Sequence, residues 1–199
     1  MSSARKANMD CRKTGMNFPT KRYQLILADP PWEYENKNTG RTNNSGACKK
    51  YATMSVEEIK NLPISDIAMK DSCLFLWATT PLLPEAFEVM KAWGYQYKTA
   101  IYWRKIMSLG MGFWFRGQVE VCLFGIRGNI KAFRCQKPNF IETKVRNHSQ
   151  KPDEMYGLIE ELDINPKIEI FAREKREGWD AWGNQVPNHC QKLLATEGA

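Results

Sequence analysis

Residues 23–32 read Tyr23-Gln24-Leu25-Ile26-Leu27-Ala28-Asp29-Pro30-Pro31-Trp32. The first six are the short apolar run expected of a strand buried on both faces. The last four end it. Proline has no N–H and a fixed φ, so the pair stops the ladder and holds the following backbone extended. The turn then presents one carboxylate and two backbone carbonyls as hydrogen-bond acceptors beside an indole face. An exocyclic amino group on a planar base needs acceptors at its edge and an aromatic surface to stack on, and the tetrad offers both. Taken alone, the same residues also read as a strand closed by a proline turn with a core tryptophan.

Working outward, residues 34–50 are rich in Asn, Gly, Ser and Lys without periodicity. A loop that long in a compact domain is usually functional, and its place after Trp32 predicts a lid over the same pocket. Ser55 with Glu58 three residues on forms a capping box, with Met54 and Ile59 as a hydrophobic staple, for a helix that ends before Pro63. A strand is predicted at Leu74–Ala78, a helix at Leu83–Trp93 closed by Gly94, and a strand at Thr99–Trp103. Residues 104–118 read as a second loop. It contains Gly110-Met111-Gly112, but Phe115 stands where a dinucleotide fingerprint needs its third glycine. Further strands are predicted at Val119–Ile126, at Lys131–Phe133 and at Lys167–Ala172. A helix opens at Lys151-Pro152, with Asp153 and Glu154 in its first turn, and residues 173–185 read as a loop. Strands alternating with helices imply an α/β fold with a largely parallel sheet and active loops at the carboxyl ends of its strands.

The chain has 199 residues, 43% of them hydrophobic, enough for one domain with a substantial core. No stretch approaches the roughly 20 apolar residues of a membrane span. Residues 1–22 form a basic lead-in without the apolar region of a secretory signal, so a soluble intracellular protein is expected. Six cysteines show no CxxC pair and there are two histidines, so reduced thiols and no metal site are expected. Residues 98–151 hold eleven Lys/Arg against two acids, whereas residues 152–199 hold ten acids against five bases. Such a basic zone attracts polyanions, and the aromatic residues within it suit stacking on exposed bases, although most of them are expected in the core. A merely basic face kept for solubility is the bland alternative.

Further along stand Tyr51-Ala52-Thr53-Met54-Ser55, Leu74-Phe75-Leu76-Trp77, Trp93-Gly94-Tyr95 and His148-Ser149-Gln150-Lys151-Pro152-Asp153-Glu154. Ile168-Glu169-Ile170-Phe171-Ala172-Arg173 and Trp182-Gly183-Asn184-Gln185 complete the series. In this order, over residues 23–187, the chain resembles the MT-A-type adenine-N6 methyltransferases. That family includes the catalytic subunit of the mRNA N6-methyladenosine writer and small bacterial and phage relatives. The resemblance implies a Rossmann-like S-adenosylmethionine-dependent methyltransferase fold in permuted order, the catalytic motif preceding the cofactor strand. It divides the chain into the lead-in 1–22, a methyltransferase domain 23–187 and a tail 188–199.

By that resemblance Asp29, Pro30, Pro31 and Trp32 are catalytic. Asp29 and the Pro30 carbonyl would accept the two N6 hydrogens while Trp32 stacks on the extruded base. His148, Ser149 and Lys151 would lie near the methionine part of S-adenosylmethionine, which Asp29 also borders; Arg173, Asn184 and Gln185 would meet its ribose and adenine, and Asp10 its adenine. Tyr34, Arg41, Lys49, Lys50, Arg104, Lys105, Arg116 and Arg134 are candidates for nucleic-acid contact. Trp179 and Trp182 are expected to pack rather than bind. Two segments depart from the mRNA enzyme: Glu174-Lys175-Arg176 replaces a stretch with His and Asn, and Gln118-Val119-Glu120 lacks its Lys-Glu. The implied substrate is nucleic acid, DNA rather than RNA because the chain is little more than a catalytic core. An RNA adenosine methyltransferase, a non-catalytic nucleic-acid-binding subunit and methyl transfer to cytosine N4 stand as alternatives; intact Asp29 and Trp32 argue against the second. A homodimer or a heteromeric partner stays open. The expected compartment is the cytoplasm of a bacterial or phage-infected cell, or the nucleus in a eukaryote.

Overall fold

The strand Tyr23–Ala28 (β1) lies inside a seven-stranded sheet in the computed structural model, which describes residues 18–33, 53–106, 114–133, 136–145, 150–184 and 186. Its side chains alternate between two cores. Ile26 and Ala28 join one, with Ile59, Ile64, Val89, Met90 and Trp93. Leu25 and Leu27 join the other, with Met155, Ile159 and Trp179. Leu25, Ile26 and Leu27 are at most 1% exposed, and burying each contributes roughly 1.5–3 kcal/mol. A strand covered on both faces has no polar face to show, which is why Leu25–Ala28 is continuously apolar.

The other elements are α1 (Val56–Lys60), α2 (Ile64–Ile67), β2 (Ala68–Thr79), α3 (Leu83–Ala92) and β3 (Gln96–Ile106), followed by β4 (Val119–Arg127), β5 (Phe140–Lys144), α4 (Asp153–Glu160), β6 (Lys167–Ile170) and β7 (Asp180–Trp182). The sheet order is β5-β3-β4-β2-β1-β6-β7. β1 pairs in parallel with β2 and β6, β6 with β7, and β3 with β5; β4 runs antiparallel between β2 and β3. Six of the seven strands therefore point the same way, as the α/β reading required. Their carboxyl ends, together with the start of β4, share one edge.

Local chemistry builds these elements as the sequence suggested. The capping box is present: Ser55 Oγ accepts from the Glu58 N–H at 3.3 Å and Glu58 Oε2 accepts from the Ser55 N–H at 2.9 Å. Gly94 closes α3 with φ +84°, a conformation that a Cβ disfavours. The buried Trp93 ties α3 to α1 by donating to the Ile59 carbonyl at 3.0 Å. Cys73 and Cys122 are buried free thiols, and burial pushes the Cys73 thiol up to about 12. Trp179 and Trp182 are buried packing residues, the latter edge-on to Phe18 and Phe171.

Five strands differ from expectation. β2 and β3 begin earlier than their apolar cores, because polar and half-buried residues also pair at the sheet's rim. Residues 131–133 carry no strand; the edge strand β5 lies later, and Ile141 is its one buried residue, so no apolar run announces it. β7 lies inside the expected loop 173–185 and is only three residues long. β6 stops at Ile170 because Phe171 turns to φ +67°. Among the described residues, no helix is long and apolar enough to cross a membrane.

Two glycines make contrasting tests of packing. A Cβ on Gly183 would sit 2.2 Å from the Ala172 carbonyl oxygen and 2.7 Å from its nitrogen, both backbone, whereas one on Gly157 in α4 meets nothing within 4 Å. Gly183→Ala is expected to lower stability by about 1–3 kcal/mol, a fall of several degrees in melting temperature. Gly157→Ala should raise stability by about 0.5–1 kcal/mol. Differential scanning calorimetry of both variants checks the pair.

Candidate active site

Asp29 leaves β1 at the shared edge, with its N–H near the Ile170 carbonyl at 3.4 Å. Backbone bonds hold the turn after it. The Trp32 N–H donates to the Pro30 carbonyl at 2.9 Å, the Met54 N–H to the Pro31 carbonyl at 2.8 Å, and the Glu33 N–H to the Met54 carbonyl at 3.0 Å. Trp32 is 6% exposed, and its indole N–H donates to the Trp77 carbonyl at 3.0 Å. The tryptophan thus anchors the turn to the end of β2 from within the core. Two prolines leave no N–H of their own to satisfy, so the turn closes with its carbonyls directed at neighbours.

Lys151, just ahead of α4, reaches into this edge. Its Nζ lies 2.8 Å from Asp29 Oδ1 and 3.1 Å from Glu120 Oε2, and 5.2 Å from the centre of the Trp77 ring. Lys105, at the end of β3, binds the other oxygen of Glu120, Oε1, and lies over the Trp103 ring at 5.0 Å. The result is an alternating row, Asp29–Lys151–Glu120–Lys105, on four side chains that are 12–23% exposed. Burial works against the Lys151 ammonium, but Asp29 and Glu120 outweigh it and raise its pKa. Burial also works against the Glu120 carboxylate, and the charges of Lys151 and Lys105 outweigh it and hold it below the usual range.

A half-buried carboxyl lies on β6. Glu169 pairs in register with Leu27 of β1 and accepts from the Tyr156 hydroxyl at 2.9 Å. Arg176 covers the Tyr156 ring at 3.8 Å. Burial pushes the Glu169 carboxyl up to about 7; the Tyr156 bond opposes the rise and the Asp29 charge adds to it.

Arg173 and Asn184, which the resemblance assigns to the cofactor, follow the ends of β6 and β7. The Ala172 N–H donates to the Trp182 carbonyl at 3.0 Å, and Gly183 lies against the backbone at Ala172. The left-handed Phe171, a conformation that costs about 1–3 kcal/mol and recurs at functional sites, turns the chain outward toward half-buried Arg173. Asn184 follows on the adjacent strand end. The residues fit S-adenosylmethionine by the chemistry of the donor set: an ammonium for its carboxylate, a guanidinium and a carboxamide for its nucleoside. Two buried polar atoms at the end of β2, Trp77 Nε1 and Thr79 Oγ1, also lack partners among the described residues.

The structure therefore brings Asp29, Pro30, Pro31, Trp32, Lys151, Arg173, Asn184 and Lys105 to one edge. Arg104 is on β3, ion-paired with Glu142 at 2.6 Å, and Arg116 is exposed just before β4. Asp10, Tyr34, Arg41, Lys49, Lys50, Arg134, His148, Ser149 and Gln185 lie outside the described residues, as does the expected lid at 34–50. No metal-holding group of His, Cys, Asp and Glu occurs among the described residues. Sequence reasoning missed Glu120 and Glu169. The signal for Glu120 was present, a lone acid in the run Val119-Glu120-Val121-Cys122-Leu123-Phe124.

Lys151→Met removes the cation shared by the half-buried Asp29 and Glu120 carboxylates and is expected to cost about 3 kcal/mol. Adding Asp29→Asn should recover part of that loss, a coupling that chemical denaturation of the two single variants and the double variant measures. Glu169 provides a pH test. A carboxyl raised from 4.5 to about 7 stabilises the fold fully below pH 4.5, and that contribution is lost as pH rises through 7. Glu169→Gln keeps an acceptor for Tyr156 without the charge. Its stability relative to the unsubstituted chain should therefore grow by about 3 kcal/mol between pH 4.5 and pH 8, read from denaturation midpoints across that range.

The MT-A70 family model matches residues 23–185. The chain is 32% identical to the Type II methyltransferase M.MunI of Mycoplasma sp over 190 residues, 86% of this chain and 81% of that protein. It is 31% identical to the human N(6)-adenosine-methyltransferase catalytic subunit METTL3 over 83% of this chain, spanning 28% of that protein. A putative N(6)-adenosine-methyltransferase MT-A70-like protein of Medicago truncatula is 31% identical over 90% of this chain and 29% of its own length. With the Asp29-Pro30-Pro31-Trp32 turn at the carboxyl edge of a largely parallel sheet, these matches establish that the chain belongs to the MT-A70 methyltransferase family.

Proposed function

We propose that this chain methylates the exocyclic N6 of adenine in DNA, using S-adenosylmethionine. The observation that carries the reading is the Asp29 carboxylate, bound at Oδ1 by Lys151 and carried on the residue directly before Pro30. Adenine N6 is a poor nucleophile because its lone pair is conjugated into the ring. Acceptors that bind its two hydrogens favour the tetrahedral nitrogen that forms as the methyl group arrives. Asp29 Oδ2 and the Pro30 carbonyl, whose bond to the Trp32 N–H uses one of its two lone pairs, are those acceptors. S-adenosylmethionine supplies an electrophilic methyl group on a sulfonium. Lys151, Arg173 and Asn184 hold it, together with His148, Ser149, Gln185 and Asp10.

Most of the remaining work is alignment. Lys151 keeps Asp29 in one orientation, and Glu120 and Lys105 keep Lys151 in place. The proton leaves N6 after methylation, when that nitrogen has become acidic, along its hydrogen bond to Asp29. Trp32, 6% exposed with its indole N–H bound to the Trp77 carbonyl, fixes the turn from within the core. DNA is preferred over RNA because the bacterial Type II methyltransferase is matched over most of its length and the adenosine methyltransferases over little more than a quarter. Tyr34, Arg41, Lys49, Lys50, Arg104, Lys105, Arg116 and Arg134 are assigned to nucleic-acid contact.

The test is methyl transfer from labelled S-adenosylmethionine to double-stranded DNA, single-stranded DNA and RNA, with nucleoside mass spectrometry of the product. N6-methyladenine is expected, formed fastest on DNA. Asp29→Ala should lower the rate at least about 100-fold while leaving nucleic-acid binding in place. Faster transfer to RNA would reassign the polymer, and transfer to cytosine would reassign the base.

A further inference from the structure

Trp114 and Phe115 are 93% and 90% exposed, side by side in the segment that leads into β4. The other exposed aromatic side chains among the described residues have partners: Phe87 meets Tyr97 edge-on at 5.0 Å, and Tyr102 pairs across strands with Phe140. Among the described residues, Trp114 and Phe115 contact no other aromatic ring. Burying such rings contributes far more than leaving them in water, so two adjacent ones held outward mark a contact surface.

Their position says what they contact. The Gln118 carbonyl accepts from the Lys105 N–H at 2.8 Å, which fixes this segment at the end of β3 beside the row Lys105–Glu120–Lys151–Asp29. Three residues of chain place Phe115 within about 11 Å of Gln118, and four place Trp114 within about 14 Å. The pair is thus a few nucleotide lengths at most from the row that ends in Asp29. Exposed Arg116 adjoins it, in the zone where residues 98–151 carry eleven Lys/Arg against two acids. A flat aromatic pair beside a guanidinium, in a field that attracts polyanions, matches the combination by which exposed bases are stacked while the backbone is held by charge.

We infer that Trp114 and Phe115 form a stacking surface for nucleobases flanking the target adenine. This rests on the proposed nucleic-acid substrate, and it adds a contact that binds bases rather than phosphates. It is tested on the full chain by fluorescence anisotropy with two labelled oligonucleotides of equal length and charge, one with ordinary bases and one abasic throughout. Both rings face solvent, so the Trp114→Ala, Phe115→Ala double variant keeps its core, which an unchanged melting temperature verifies. The variant should bind the ordinary oligonucleotide about 10-fold or more weaker and the abasic one within about twofold of the unsubstituted chain. Arg116→Ala should weaken both and reduce the salt dependence. Unchanged binding of the ordinary oligonucleotide, or equal loss on both, would overturn the inference. So would a dimer in sedimentation equilibrium that the double variant abolishes without loss of oligonucleotide affinity, since the rings would then belong to a contact between copies. Binding is read without turnover: a chain that stacks bases but transfers no methyl group would refute the proposed reaction and leave this surface standing.

Discussion

Four charged side chains in alternating sign, Asp29, Lys151, Glu120 and Lys105, meet where four separate parts of the chain reach one sheet edge. Each is too enclosed to be ionised alone at low cost, and each has a partner of opposite sign. The row therefore works only if β1, β3, β4 and the approach to α4 are all in place. That dependence explains why the antiparallel β4 matters. It is the one strand that begins at this edge, so it delivers Glu120 from its first turn of ladder while the others deliver residues from their ends.

The proline turn depends on the same edge. Trp32 is committed to the core by its bond to the Trp77 carbonyl, and the backbone by its bridge to Met54. With both fixed, Asp29 Oδ1 is set by Lys151, leaving its other oxygen and the Pro30 carbonyl on one short stretch of backbone. The proposed amino substrate needs two acceptors at a set separation, and here one is a carboxylate oriented by Lys151 and the other a backbone carbonyl on the next residue. At the ends of β6 and β7, Gly183 and the left-handed Phe171 set the backbone that leads to Asn184 and Arg173, the residues proposed for the cofactor.

Much of this was legible in the sequence, for physical reasons that differ by element. β1 announced itself because both its faces are buried, and α1 because Ser55 and Glu58 satisfy each other's backbone. The convergence of Asp29, Lys151 and Arg173 followed from a parallel sheet, which sends successive strand ends to one side. The edge strands β5 and β7 stayed hidden, since a strand with one buried residue or three residues in all has no periodicity to read. Glu120 was visible as a lone acid in an apolar run, but its partners lie 15 residues before and 31 after it, a pairing that only the register of β3 and β4 creates. Trp32 was legible as part of the turn; that its N–H is spent on Trp77, making it an anchor, is a tertiary fact.

The most direct test of the account is a crystal structure of the chain with S-adenosylhomocysteine and an adenine-containing oligonucleotide. The account predicts the adenine amino nitrogen within hydrogen-bond distance of Asp29 Oδ2 and the Pro30 carbonyl, with Lys151 still on Oδ1 and Glu120. An extruded base whose amino group meets other acceptors, or a Lys151 that leaves Asp29 when the ligands bind, would contradict it.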